Sequence, residues 1–585
     1  MPIFLKTKKN TFASDSSTKE VLGPKLRSFV GCDNSSNKLN QPYGQLVRNL
    51  NMEYLFAGAN VYLKTKRGSS LILDITNKPY GAALFSYDQA EEWLVWIDGS
   101  DIKTCETNGL SPTTISAGLS TSLQTFFVMY GQARNATLYG VNGTDALFKL
   151  TYSSGFSFAS VPDAPKPKCV TFSTMSGRLF CATGHNVYFS EVQTGTGTAN
   201  LEDFKWNGSS WSNSAIVSPD SGSGFNSIVD LGIDGLYFLK DTGIWVLSNV
   251  SDVSQRWSFP QCKADVGTLS PKTVQKVNYM GKAGVIYLAT DKTLRFFMPS
   301  VQYNAGTINS VVDSDSKIIS DTFQSLLDEI PDNYIHLCVG TYFESQYILN
   351  FPSLTNSTEL DRTITIDLDK AIPGEGQKIV QPFWFESANM DYSEFVVKQS
   401  THKLFGFNVN GYIAEVLKSN IDYEEMPDRV TVSQTSKTDA DDATIPADVR
   451  RVAIEYEAFT AWHDFASELS GGNELELYRS YINWKPTSTI TAYVAAATRG
   501  DIMPDFNRGS SKSLTPTDTF AARYNVAKFN IAYFGSTDVS QNIRVSKRGH
   551  WFNFGFGNTA YGSGAEIYGI DPIFKLNAGS PTGVT

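Results

Sequence analysis

The sequence predicts an all-β protein: an irregular β-propeller of about six to eight blades, followed by a C-terminal β-sandwich-like domain. Three observations carry that expectation. A two-strand unit recurs along the chain, aromatic residues and glycine are abundant, and helical periodicity is almost absent. With 37 Phe, 27 Tyr and 45 Gly among 585 residues, the chain is rich in side chains that suit a pleated surface. It is equally rich in the residue that takes positive φ in tight turns.

Taken in order, residues 1–60 read as an N-terminal extended segment with the first strands, and 61–419 as the propeller. The repeating unit is a short apolar and aromatic strand, a polar turn with Gly, Asn or Asp, and a second strand. It occupies 93–103, 138–148 (around Asn142-Gly143), 178–189, 236–247, 285–296 and 404–415. A weaker copy starts at Val61, and another runs over 347–363 with an expanded turn. Asn-Gly and Asp-Gly adopt the backbone that closes a hairpin between twisted strands. Copies recur about every 30 to 60 residues, against roughly 40–50 in regular propellers. One hairpin cannot bury both its faces, whereas four-stranded blades set around an axis bury one another and leave few open edges.

One short helix is expected over 321–330, where Phe323, Leu326, Leu327 and Ile330 fall on one face and Pro331 stops the run. Residues 420–450 carry Asp422, Glu424, Glu425, Asp428, Asp439, Asp441, Asp442 and Asp448 and read as an acidic, solvated linker or loop. From 451 to 585 a second β-rich region follows. Its last two strands, 548–557 and 565–574, are expected to pair and complete a sandwich.

Charge and composition narrow the function. Net charge is −10 with a pI near 5.2, which argues against tight nucleic-acid binding through a broad basic face. Charged residues are 18% of the chain, below the roughly 25% of soluble proteins, as expected of an oligomer that hides much of its surface or of a secreted β-rich protein. No run of 18 apolar residues is present, so no membrane span is expected, and the N-terminus lacks the apolar core of a signal peptide. The six cysteines are scattered and read as reduced, buried thiols.

No chemistry-bearing motif emerges. The nucleophile elbow, the phosphate-binding loop and the His-Glu-x-x-His helix are all missing, and the five histidines are far apart. Asp98, Asp241, Asp291 and Asp367 sit in or near hairpin turns, where a carboxylate bonds the backbone. Asp439, Asp441 and Asp442 cluster without the spacing of a calcium loop. Ser218-Pro-Asp-Ser-Gly222 matches only half of a sialidase-type box. No residue is singled out as catalytic, cofactor-binding or metal-ligating, and the protein reads as a non-enzyme. Basic residues at Lys6, Lys8, Lys9, Lys19, Lys25 and Arg27, and at Arg544, Lys547 and Arg548, could bind phosphates or acidic partner surfaces, but read first as ordinary solvated charge.

Three features together resemble one family: the two ends of the chain and the irregular hairpin repeat between them. Residues 46–53, Leu-Val-Arg-Asn-Leu-Asn-Met-Glu, are similar to the opening of the packaged-DNA stabilisation or nozzle proteins of short-tailed bacteriophages, with Met52 where that pattern has proline. Residues 547–554, Lys-Arg-Gly-His-Trp-Phe-Asn-Phe, followed by 565–571, Ala-Glu-Ile-Tyr-Gly-Ile-Asp, look like the end of such proteins. The resemblance implies a structural virion protein, made in the host cytoplasm and placed in the tail. It implies a hexameric ring below the portal and adaptor, in contact with tail fibre or needle proteins. That ring would retain the packaged genome and conduct DNA outward without binding it specifically, through a lumen whose acidic lining repels phosphate. The alternative is a carbohydrate-binding or carbohydrate-cleaving propeller such as a receptor-binding tail protein, with Trp206 and Trp211 as the aromatic platform.

Overall fold

The recurring two-strand units become the middle strands of propeller blades. In the computed structural model, residues 19–576 are described apart from 35–42, 248–256, 373–380, 431–447, 498–508, 515–538 and gaps of six residues or fewer. Blade one orders its strands Ala82–Ser86, Glu92–Asp98, Asp101–Glu106 and Thr113–Ser116 from the inside out. Blade two follows with Phe126–Tyr130, Thr137–Val141, Phe148–Tyr152 and Phe156–Ser160, and blade three with Cys169–Ser173, Arg178–Thr183, Asn186–Phe189 and Ser214–Ile216.

Blade four has three regular strands, Ser227–Asp230, Leu236–Leu239 and Ile244–Leu247. Its outer edge is covered by the segment around Pro260, which bonds to Val246 and Ile244 (3.0 and 2.8 Å). Blade five is Gln275–Tyr279, Lys282–Leu288, Leu294–Met298 and Asp315–Ile318, and blade six is Val339–Phe343, Gln346–Phe351, Arg362–Ile372 and Gln381–Ser387. Blade seven takes Tyr392–Lys398, Lys403–Asn408 and Tyr412–Lys418 from the end of the propeller. Its fourth strand, Gly68–Asp74, comes from the beginning. That strand ties the two ends of the ring together through an antiparallel ladder from Asp74–Tyr412 to Gly68–Lys418.

The predicted units at 93–103, 138–148, 178–189, 236–247, 285–296, 347–363 and 404–415 are the second and third strands of these seven blades. Gly99 (φ +63°) and Ser100 make a two-residue turn between the paired Asp98 and Asp101, so the turn pair is Gly-Ser and not Asp-Gly. Around Asn142-Gly143 the expected two-residue turn is a longer loop. There the Asn142 Oδ1 accepts from the amides of Thr144 and Asp145 (3.0 and 2.8 Å) and holds the chain open. The weak copy at Val61 is not a hairpin. Asn60–Thr65 and Gly68–Asp74 are consecutive strands that enter different sheets.

The second domain is a sandwich. One sheet is ordered Met52–Ala57, Asn60–Thr65, Ala565–Leu576, Leu475–Pro486 and Val539–Gly549, with Lys19–Leu22 paired to Ala565–Leu576. The other is ordered Leu46–Leu50, Tyr456–Thr460, Trp551–Asn558, Ile490–Ala497 and Ser510–Leu514. The N-terminal strands and the C-terminal region thus build one unit. The last two strands do not pair, as the sequence suggested. Trp551–Asn558 and Ala565–Leu576 lie in opposite sheets and face each other, with Phe552 and Phe574 in ring contact at 5.1 Å. Each presents an apolar face (Phe552, Phe554 and Phe556 against Ile567, Ile570 and Phe574), and packing those faces together buries more than pairing edges would.

The short helix appears as Gln324–Leu327 within a turn-rich segment between blades five and six, with Phe323, Leu326, Leu327 and Ile330 all buried as expected. The 420–450 segment is not simply a solvated linker. Tyr423–Pro427 pairs with Val449–Ala453, and two of its described acids are partnered: Glu425 with Arg451 (2.9 Å) and Asp428 with Arg450 (2.8 Å). Among the described residues, no helix is long and apolar enough to cross a membrane.

Candidate functional site

Seven innermost strands surround one axial cavity of about 230 Å³. Ala82, Phe126, Cys169, Ser227, Gln275, Val339 and Glu394, each at or near the start of an innermost strand, all line it. One void touched by all seven blades is what a closed wheel produces, and an open slab has no equivalent.

Its chemistry is spare. Lys272 is ion-paired with Glu394 and donates to the Ser393 carbonyl at 3.2 Å. Gln275 donates to the carbonyls of Lys272 (3.3 Å) and Gly340 (3.0 Å), crossing from blade five to blade six. Burial raises the Glu394 carboxyl above the usual range while Lys272 opposes it. Burial and then the neighbouring Lys272 charge push Lys78 down. Glu394 is the one carboxylate among the described lining residues, so the cavity lacks the two facing carboxylates that glycoside hydrolysis requires.

A second polar cluster sits where propeller meets sandwich. Strand Leu46–Leu50 pairs on one side with Gln381–Ser387 of blade six and on the other with Tyr456–Thr460, so a single sheet of ten strands runs from propeller into sandwich. At the end of that strand Asn51 takes a left-handed backbone (φ +56°). Its amide donates to the Glu386 carbonyl (2.7 Å), its Nδ2 to the Glu455 carbonyl (2.6 Å), and its Oδ1 accepts from the Ala388 amide (2.9 Å). Beside it the fully buried Lys66 reaches Glu424 (2.9 Å) and the Ala388 carbonyl (2.9 Å), and Ser69 donates to the same Glu424. Met52, where the family pattern has proline, is fully buried in the core.

The residues weighed in the sequence are not brought together. Asp98 holds Asn77 (3.1 Å) and Lys103, and Asp241 accepts from the Ser223 amide (3.1 Å). Asp291 binds Thr293 and Arg295 (2.6 Å each), and Asp367 accepts from the Asp369 amide (3.0 Å). His185 faces Lys240 (3.0 Å) and His463 faces Glu468 (2.9 Å). Ser218 anchors Lys240 and Trp245 through its carbonyl and hydroxyl, while Ser221 lies outside the described residues. Trp206 and Trp211 stack on each other at 4.6 Å, and Trp211 donates to the Asp163 carbonyl (2.7 Å), so the loop is held by its own rings.

All six cysteines are free and buried, and burial pushes the thiols of Cys105, Cys169 and Cys262 up to about 12. Among the described residues no group of His, Cys, Asp and Glu is arranged to hold a metal. Asp439, Asp441 and Asp442, like Lys6, Lys8 and Lys9, lie outside the described residues. Arg544 and Arg548 stand exposed on Val539–Gly549, the outer strand of its sheet, with Arg548 near Glu476 (3.4 Å). Charge on an outer strand discourages edge-to-edge pairing.

No family model and no curated protein matches the chain. Among solved structures it is similar to Raptor of Chaetomium thermophilum, with a TM-score of 0.37 and 11% identity over 61% of this chain and 30% of that one. It is also similar to BBS1N in complex with ARL6DN, with a TM-score of 0.35 and 9% identity over 61% of this chain and 97% of that one.

Proposed function

We propose that this protein is a structural component of a bacteriophage tail, forming a nozzle ring below the portal and adaptor that retains the packaged genome and conducts DNA during ejection. One observation carries the reading. The two stretches that bear the family resemblance, 46–53 and 547–571, are distant in sequence yet belong to one sandwich. Leu46–Leu50 and Trp551–Asn558 flank the same strand, Tyr456–Thr460. Asn60–Thr65, which pairs with Met52–Ala57, also pairs with Ala565–Leu576. Both stretches therefore belong to a single structural unit.

The rest agrees with a mechanical role. An axial cavity of about 230 Å³ is smaller than the roughly 300–1,000 Å³ of small-molecule sites. DNA would therefore pass between subunits set around a common axis, and not through the propeller. A net charge of −10 disfavours adhesion to phosphates along such a passage. Closed symmetry is how a head-to-tail interface terminates in a ring, and adaptor and fibre or needle proteins would occupy its two ends. Native mass measurement and particle imaging of the purified protein test the proposal. The expected result is a ring of about six copies with an open lumen lined mainly by Asp and Glu. A protein that stays monomeric at all concentrations and beside adaptor proteins, or a lumen lined by Lys and Arg, would rule it out.

A further inference from the structure

We propose that the cleft between blades one and two is a carbohydrate-binding site. It measures about 640 Å³, within the roughly 300–1,000 Å³ of small-molecule sites. Strand direction alternates within each blade, so the outer turns that wall this cleft, 107–112 and 153–155, lie at the propeller end opposite the axial cavity. The site is thus separate from both the axis and the sandwich.

Its floor is aromatic. Trp93 lies against Tyr152 at 4.4 Å and against the edge of Phe156 at 5.3 Å, all three partly exposed where the inter-blade core opens outward. Core packing accounts for those rings but not for what stands beside them. Glu106 is the direct cross-strand neighbour of Trp93. The Glu106 carboxylate is held by Asn108 Nδ2 (3.3 Å) and Ser111 Oγ (3.1 Å), which leaves acceptor positions open, since a carboxylate offers about four. Glu91 lines the cleft from an exposed turn, and the exposed Thr113 and Ser154 complete the wall.

A sugar ring presents one face of C–H groups and a rim of hydroxyls. The face suits an aromatic surface, and the rim suits fixed carboxylate, amide and hydroxyl groups. A lone ammonium or guanidinium would fill little of this volume. The negative field is also already reduced from behind, where Lys398 pairs with Glu92 at 3.0 Å. The inference does not rest on the ring proposal, since a monomer that binds sugar would uphold this one and sink the other.

The test titrates the intact protein with a panel of defined neutral oligosaccharides, read by tryptophan fluorescence and saturation-transfer NMR. The same titrations are run with L-arginine and tetramethylammonium. At least one oligosaccharide should bind saturably, weakened about tenfold by Trp93→Ala and severalfold by Glu106→Gln. The second substitution is the control for folding, because an unchanged melting temperature separates lost contact from lost structure. Absence of saturable binding to every oligosaccharide overturns the inference. So does binding untouched by either substitution, or saturation by the cations alone.

Discussion

Lys66 is a cation with almost no access to water, its side chain 1% exposed against 4% for Glu424, and the two meet at 2.9 Å. A buried pair of this kind contributes little net stability, but removing one partner strands the other charge. We predict that Lys66→Met lowers unfolding stability by about 3–5 kcal/mol, measured by denaturant titration. The double variant Lys66→Met/Glu424→Leu should recover most of that loss; if it is as unstable as the single variant, the pair is not the cause. Nearby, burial and then the charge of Asp361 push the Asp391 carboxyl up to about 7. In the unfolded chain an aspartate titrates near ~3.9, so between those values the unfolded state releases its proton first. The stability held by protonated Asp391 is complete at the acid end and lost as pH rises through 7. Asp391→Asn should therefore gain melting temperature over the parent at pH 8 relative to pH 5. An offset identical at both pH values would show that Asp391 does not titrate in this window.

Strand Gly68–Asp74 decides whether the wheel closes, because it is the fourth strand of blade seven and precedes blade one in the chain. Its first residue has no room for a side chain. A Cβ on Gly68 would lie 1.9 Å from the Tyr423 carbonyl oxygen, while the Gly68 amide donates to the Ile421 carbonyl at 2.7 Å. We predict that Gly68→Val costs about 1–3 kcal/mol or more and exposes the 420–427 region to protease. A variant with parental stability and cleavage pattern would mean that the closing strand tolerates displacement. The legibility of such elements in sequence follows their burial. The second and third strands of blade four, Leu236–Leu239 and Ile244–Leu247, are covered on both faces, and apolar runs of this kind made the repeat visible. Outer strands such as Thr113–Ser116 and Ser214–Ile216 are short and mostly exposed, so their sequences resemble turns. Asn60–Thr65 and Gly68–Asp74 looked like one hairpin because alternation records which residues face inward, not which sheet receives them. Likewise Glu424 and Glu425 read as solvated acid because their partners, Lys66 and Arg451, were set by tertiary folding. Trp93, Glu106 and Tyr152 were legible only as strand residues, since two blades must pack before they share a cleft.

At the scale of the molecule, propeller and sandwich share a core as well as a sheet. The largest apolar cluster joins Phe296 of blade five and Trp384 of blade six to Met52, Leu477, Phe554 and Phe574 of the sandwich. Tyr54 links the halves through its hydroxyl on the Trp384 carbonyl (3.2 Å), and Asn51 bonds blade six and the sandwich at once. Two domains joined by a flexible linker would melt independently, each exposing only its own surface. Here unfolding the sandwich would strip the cover from blades five and six and open the pairing of Leu46–Leu50 with Gln381–Ser387, so neither half can reach its own unfolded state without loss to the other. We predict a single main calorimetric transition, with sandwich and propeller tryptophans reporting the same midpoint. Asn51→Ala should lower that midpoint without splitting it. Two well-separated transitions in the parent protein, or a stable proteolytic fragment spanning 68–418 alone, would show that the shared sheet does not couple the domains. A rigid coupling of this kind is what would let force applied at the sandwich reach the whole wheel.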